Sequence, residues 1–178
     1  MECAPIINFL QVDKSRQLSS LIRMCEQPVV FTSGVFDLLH VGHLEYLREA
    51  KRYGKSLIVG VNSDNSAKKL EKGPSRPFNN ENDRASLIAS LRYVDGVILF
   101  NEDTPNALIK LIKPSFFVKG GDYSETYLRA TDLFGLKNTE LKIIPLKTNY
   151  SSTRLIKKLS QLINKNFSSE THKFILIQ

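Results

Sequence analysis

Two of the three histidines in this chain, His40 and His43, stand three residues apart in Ser33-Gly34-Val35-Phe36-Asp37-Leu38-Leu39-His40-Val41-Gly42-His43, just after an apolar run. The loop leads into a helical pattern, and imidazoles at the mouth of a helix suit phosphate chemistry. Free backbone N–H groups and the macrodipole at a helix N-terminus favour a bound phosphate. Two ring donors on that rim can meet phosphoryl oxygens as charge builds in a transition state. Gly42 gives the backbone room to approach a nucleotide closely. Zinc is the weaker reading, because no third Cys, Asp or Glu falls at convincing ligand spacing, so no protein metal ligands are assigned. The plain alternative is that His40 packs locally and His43 merely begins a helix.

Such a loop needs a scaffold, and the flanking pattern supplies one. Residues 14–26 carry Leu18, Leu21, Ile22 and Cys25 at helical spacing, and Pro28 ends that helix. Val29–Thr32 reads as a short buried strand closed by Gly34. Leu44, Leu47 and Ala50 mark a helix stopping at Gly54, and Ser56–Val61 is a second apolar strand. Polar residues 62–80 read as a short helix and then a loop containing Gly73, Pro74 and Pro77. Helical periodicity returns over Glu81–Arg92 through Leu87, Ile88 and Leu91, followed by strand Gly96–Phe100. Thr104-Pro105 then caps a helix with Leu108, Leu111 and Ile112 on its buried face. Strands Phe116–Lys119 and Leu141–Leu146 follow. Ser151-Ser152 cap a last helix whose core face is Leu155, Leu159 and Leu162, and Phe174–Ile177 is expected to add an edge strand or a subunit contact.

This alternation implies one α/β domain, a parallel sheet of about five strands with helices on both faces. Ligands of such sheets bind beyond the carboxyl ends of the strands, where strand order reverses. The loops to search therefore follow Thr32, Val61, Phe100, Lys119 and Leu146. The expected organisation is an N-terminal helical extension over 1–27, a central domain over 28–163 and a tail over 164–178.

Composition narrows the function further. The 178 residues, 42% hydrophobic and 24% charged, suit one globular domain. No apolar stretch approaches the roughly 20 residues of a membrane span, and the N-terminus lacks the basic n-region of a secretory signal, so a cytoplasmic setting and no membrane partner are expected. Cys3 and Cys25 are too few for a disulfide framework and match no zinc spacing. The net charge of +7 is scattered in short clusters, Lys68-Lys69, Lys72–Arg76 and Lys157-Lys158. With no basic arm and no aromatic-basic pattern, that favours small phosphates over nucleic acid.

The stretch Gly34–His43 resembles the H-x-G-H signature of the cytidylyltransferase-like nucleotidyltransferases. Further segments resemble one branch, the adenylyltransferases that form ADP-heptose from heptose 1-phosphate. They are Val61-Asn62-Ser63-Asp64, Lys72–Pro77, Arg92-Tyr93-Val94-Asp95, Glu102-Asp103-Thr104-Pro105, Val118–Tyr123 and Tyr150–Thr153, in the family's order over roughly residues 29–160. The resemblance implies a Rossmann-like doubly wound sheet and transfer of AMP from ATP, with Mg²⁺, to a sugar 1-phosphate, giving an ADP-sugar and pyrophosphate. A homodimer is the expected assembly.

By the same resemblance, His40 and His43 would hold the triphosphate and stabilise the transition state. Val35, Phe36 and Gly42 would approach the nucleotide through their backbone. Lys72 would neutralise developing charge from the 68–76 loop, and Arg84 would reach the pocket from the next helix. Lys119, Gly120, Gly121 and Asp122 would meet base and ribose, and Ser151, Ser152 and Thr153 would face the phosphates. Asp37, Asp64, Lys69 and Arg76 would serve the acceptor. Each position has a plainer alternative: solvated lysines, a simple turn at Gly120–Asp122, an N-cap at Ser151–Thr153, a salt bridge for Arg84. Glu71 adds one residue before Lys72 relative to the usual spacing, so Lys69 and Lys72 can exchange roles. Lys147-Thr148-Asn149-Tyr150 lacks the Arg-Thr-Glu-Gly run of glycerol-phosphate cytidylyltransferases, which leaves that activity as the alternative; a non-catalytic nucleotide-binding module is the alternative of another class. Bifunctional relatives carry a sugar kinase ahead of this domain. The roughly 28 residues before the first strand are too few for one, so a kinase step is expected of another chain.

Overall fold

The computed structural model describes residues 3–9, 15–70, 76–121, 123–145 and 150–175. A six-stranded, all-parallel sheet runs through the domain in the order β1-β4-β3-β2-β5-β6. The strands are β1 (Ile6–Asn8), β2 (Val29–Gly34), β3 (Ser56–Asn62), β4 (Gly96–Phe100), β5 (Phe116–Gly120) and β6 (Glu140–Ile144). From β2 the chain builds outward through β3 and β4, then returns to lay β5 and β6 on the other side of β2. Strand order therefore reverses between β2 and β5, and the crevice beyond their carboxyl ends is where ligands of such sheets bind.

The sheet carries one strand more than the five expected. The extra strand comes from the N-terminal extension, where Ile6, Ile7 and Asn8 pair with Val97, Ile98 and Leu99. Three residues leave almost no periodicity to read, so only the helix of that extension, α1 (Ser15–Met24), was legible.

Helices cover both faces because each strand alternates its side chains between them. Val30, Val59, Val61, Val97, Leu99 and Val118 pack on one face with Tyr46, Leu47 and Ala50 of α2 (Val41–Lys51) and Ala85 and Ile88 of α4 (Glu81–Ala89). Val29, Phe31, Ile58, Ile98, Phe100 and Phe117 point the other way, toward Leu18 and Leu21 of α1 and Leu108, Ile109 and Ile112 of α5 (Asn106–Ile112). Leu87 and Leu111, expected in the core, are exposed. The buried stripes run through Arg84, Ala85, Ile88 and Ala89 and through Leu108, Ile109 and Ile112 instead. Thr104 makes no capping bond; Pro105 directly precedes α5.

The short helix expected after β3 is α3 (Asp64–Lys69), capped by Ser63 Oγ, which accepts from Ser66 N. A further helix, α6 (Glu125–Ala130), stands where no element was expected. The last helix, α7, runs over Ser152–Ile175, so Phe174 and Ile175 are helical and the expected edge strand is not formed there. Leu155, Leu159 and Leu162 were read as its core face but are 40–55% exposed, because among the described residues no other layer covers that stripe. Among the described residues no helix is long and apolar enough to cross a membrane.

Candidate functional site

The carboxyl end of β2 feeds a tight turn, Val35–Leu39, and then α2. His40 occupies the N-cap in an extended conformation and makes no side-chain cap bond; its carbonyl accepts from His43 N at 2.9 Å. That geometry returns the two imidazoles to one spot, with ring centroids 3.9 Å apart and planes 18° from parallel. His43 also meets the ring of Phe36 edge-on at 5.4 Å. Burial pushes the His40 imidazole pKa below its ordinary value, so it is neutral near pH 7.

The room left by Gly42 is filled from both sides. A Cβ there would lie 3.0 Å from His40 Nδ1 and 3.1 Å from Tyr150 Cβ. The missing side chain thus admits the His40 ring and the start of the α7 segment. Ser152 Oγ donates to Leu38 O at 3.2 Å, and Arg154 N donates to Ser151 Oγ, so the first turn of α7 is capped and tied to the histidine loop.

The turn is braced from behind. Phe36 holds a left-handed φ of 53°, costly for a residue with a Cβ. Arg84, wholly buried, spends its donors on that turn and its surroundings: Nη1 to Val35 O at 2.6 Å, Nε to Asn79 O at 3.0 Å and Nη2 to Asp64 Oδ1 at 2.7 Å. Buried Asp37 completes the lacing. Its Oδ1 accepts from Phe78 N at 2.7 Å and Asn79 N at 3.1 Å, while Asn79 Nδ2 donates to Asp37 O at 2.6 Å.

Across the crevice, Lys119 at the end of β5 donates to Ser33 Oγ at 2.9 Å and Ser33 O at 3.2 Å, and pairs with Asp132 at 3.5 Å. Tyr46 locks α2 to both central strands: its hydroxyl lies 2.6 Å from Thr32 Oγ1 and donates to Val118 O at 3.0 Å. Burial, ahead of the nearby Asp132 carboxylate, raises the Tyr123 phenol pKa.

Between these walls lies an open cleft with a cavity volume of about 170 Å³. Of the residues singled out from sequence, Val35, Phe36, Asp37, His43, Arg76, Lys119, Gly120 and Ser152 line it. His40 and Gly42 stand against His43 and Tyr150 as described. Gly121 follows β5 with φ 104°, a conformation that favours glycine, and its N–H donates to Ile144 O. A second compartment of about 120 Å³ shares Ser33, Gly34, Val35, Lys119 and Tyr123 with the first and extends past Asn62, Thr104 and Asp132.

Other expected residues stand elsewhere. Arg84 and Asp64 pair behind the turn rather than reaching the cleft, because Val35 and Asn79 take the remaining donors of the guanidinium that are accounted for. Lys69 is exposed and ion-paired with Asp103 at 2.7 Å. Ser151 acts as the cap of α7, and Thr153 is exposed on its first turn. Lys72 and Asp122 lie outside the described residues. Sequence reasoning missed Ser33, Tyr46 and Tyr123, all of which line the cleft. Tyr123 lay inside a quoted motif, whereas Tyr46 looks like any core aromatic.

The cytidylyltransferase-like family model matches residues 31–159, most of the chain and all of this cleft's walls from β2 to the start of α7. The chain belongs to the cytidylyltransferase-like family. It is a nucleotidyltransferase. Bifunctional protein HldE of Aliarcobacter butzleri is 46% identical over 156 residues, covering 88% of this chain and 31% of that protein. HldE of Sulfurimonas denitrificans is 50% identical over 131 residues, covering 74% and 26%. The chain thus spans a third or less of the length of these curated relatives. The crystal structure of the lipopolysaccharide core biosynthesis protein from Thermoplasma volcanium superposes with a TM-score of 0.57 at 32% identity, covering 69% of this chain and 98% of that one. Pantoate-beta-alanine ligase from Francisella tularensis, at TM-score 0.53 and 17% identity, shares the fold alone.

Proposed function

We propose that this cytidylyltransferase-like enzyme transfers AMP from ATP to a sugar 1-phosphate, D-glycero-β-D-manno-heptose 1-phosphate, releasing an ADP-sugar and pyrophosphate. The observation that carries this reading is the 46% identity to HldE over 156 residues, joined to the motif series that resembles the ADP-heptose-forming branch. The two joined compartments at the β2/β5 switch support a two-substrate reaction.

In this reading an oxygen of the acceptor phosphate, already anionic at neutral pH, attacks the α-phosphorus in line. The new P–O bond forms as the bond to the β-phosphate breaks, and pyrophosphate carries away the electron pair. No strong general base is required, so positioning and charge stabilisation supply the catalysis. His43 on the cleft wall donates to phosphoryl oxygens. His40 fixes the His43 ring by stacking, and the first turn of α7 offers Ser152 and backbone N–H groups to the polyphosphate.

Among the described residues no three His, Cys, Asp or Glu side chains cluster to hold a metal ion. The cleft's donor set, imidazole, hydroxyl, ammonium and guanidinium, instead complements anionic oxygens and fits an ion carried in on the nucleotide. Mg²⁺, when bound, supplies charge neutralisation along the triphosphate.

The test is a pyrophosphate-release panel pairing ATP, CTP and GTP with heptose 1-phosphate and glycerol 3-phosphate. Release with ATP and heptose 1-phosphate is expected. Release confined to CTP with glycerol 3-phosphate would replace the reading with the cytidylyl one. Silence on every pair, with nucleotide still bound, would mark a non-catalytic module.

A further inference from the structure

The cleft must hold a triphosphate and a phosphomonoester together, yet its described walls offer only two long cationic side chains, Lys119 and Arg76. Lys119 is already compensated: its ammonium pairs with Asp132 and donates twice to Ser33. Arg76 differs. Its side chain is 13% exposed, and its Nη1 lies 4.0 Å from Asp37 Oδ2, within reach of an ion pair but too far for a hydrogen bond. Its guanidinium also lies over the Phe78 ring at 5.7 Å.

Asp37 explains that placement. The residue is 4% exposed, and its Oδ1 is fully used by Phe78 N and Asn79 N. Its Oδ2 is buried with no hydrogen-bond partner among the described residues. A buried carboxylate oxygen in that state draws a cation toward it. The lacing to residues 78 and 79 fixes where the carboxylate stands. Arg76 is therefore held at the cleft wall by attraction, and among the described residues no acceptor takes a hydrogen bond from its planar fork, which leaves its donors for a second anion.

The direction of the reaction says which anion. His43 and the first turn of α7 gather on one side of the turn. Arg76 comes from a different stretch of chain, just before α4. In-line transfer requires the attacking and leaving oxygens to lie on opposite sides of the α-phosphorus. We propose that Arg76 binds the acceptor's phosphomonoester through its guanidinium fork, with Asp37 as the positioning residue that keeps that fork at the cleft. This assignment rests on the reading of the cleft as the site of nucleotidyl transfer.

Arg76→Gln, Arg76→Lys and Asp37→Asn test it, with ATP and heptose 1-phosphate varied separately in the pyrophosphate-release assay. Inorganic phosphate serves as a competitor of the acceptor and as the titrant in calorimetry. Arg76→Gln is expected to raise the acceptor KM and the phosphate inhibition constant by about tenfold or more, with the ATP KM changed less than about threefold. Arg76→Lys, which keeps the charge but loses the fork, should recover part of that loss. Asp37→Asn keeps an oxygen for Phe78 N and Asn79 N, and should raise the acceptor KM by about threefold to tenfold while thermal unfolding stays near wild type. An unchanged acceptor KM in Arg76→Lys and Asp37→Asn, or a rise confined to the ATP KM, would overturn the proposal even if Arg76→Gln failed to fold. If wild type released no pyrophosphate on any pair, the reaction itself would be wrong. Calorimetric phosphate binding that weakens in the Arg76 variants would still uphold the anion site, and its insensitivity to them would sink it.

Discussion

Replacing Gly42 with alanine separates the geometry of the histidine pair from the stability of the fold. The added methyl would sit 3.0 Å from His40 Nδ1, 3.1 Å from His40 Cε1 and 3.1 Å from Tyr150 Cβ. Unstrained contacts between such atoms lie at about 3.5–4.0 Å, so roughly half an ångström must be recovered. Tyr150 cannot supply it by rotating, because its Cβ is fixed to the backbone, and the residues after it are tied to the loop through Ser152 and Leu38. The His40 ring can swing, but it is stacked on His43 at 3.9 Å, so relief at Gly42 shifts the imidazole pair. A misplacement of about 1 Å costs up to about a hundredfold in rate; half of that corresponds to about tenfold in kcat/KM. The fold loses little, because alanine is favoured over glycine inside a helix by up to about 1 kcal/mol, offsetting the contact strain. Pyrophosphate-release kinetics and calorimetric unfolding would be measured side by side. Activity within about twofold of wild type, at an unchanged Tm, would refute the claim that Gly42 exists to seat His40.

Three further outcomes follow from the same structure. His43→Ala should lower turnover by about a hundredfold or more with the fold intact, the scale of one lost transition-state donor; near-normal kcat in a folded variant would remove His43 from the chemistry. Burial lowers the His40 pKa, so the unfolded chain takes up a proton near 6.5 while the folded one waits for lower pH. The associated stability is complete above about 6.5 and is lost as pH falls below it; in urea titrations wild type should lose more stability than His40→Asn between pH 7.5 and 5.5, and parallel losses would contradict the shift. Arg84→Met strands the Asp64 carboxylate and two carbonyls, and should cost about 3 kcal/mol, seen as a Tm lower by about 6–12 °C; a Tm within about 2 °C of wild type would show that the brace contributes little.

The sheet was legible wherever a strand was buried on both faces. Val29–Gly34, Ser56–Asn62 and Gly96–Phe100 are almost wholly buried, so their apolar runs needed no tertiary information to be seen. What escaped were elements whose signal is short or depends on neighbours. β1 has three residues and exists by pairing with β4. α6 buries only Leu128, too little for a helical stripe to stand out. α7 shows the opposite failure: its periodicity is genuine, but Leu155, Leu159 and Leu162 are exposed, with no layer over them among the described residues. Amphipathic spacing announces a face, and only the packing of other elements decides whether that face is interior.

Within the site, sequence located the residues better than it located their work. His43, Arg76, Lys119 and Ser152 line one cleft as their positions after strand ends required. Arg84 was placed among them because a cation near a phosphate loop invites that reading, and spacing alone cannot tell a ligand from a brace. The difference lies in donor accounting across distant segments: Val35, Asn79 and Asp64 are 49, 5 and 20 residues away and converge on one guanidinium. That convergence follows from the left-handed turn at Phe36, which exposes the Val35 carbonyl to a buried donor. A charged side chain with no exposed surface cannot touch a substrate without the turn in front of it giving way. Arg84 therefore acts on the cleft through the backbone it holds, and Arg76, eight residues earlier, is the arginine among the residues that line the cleft.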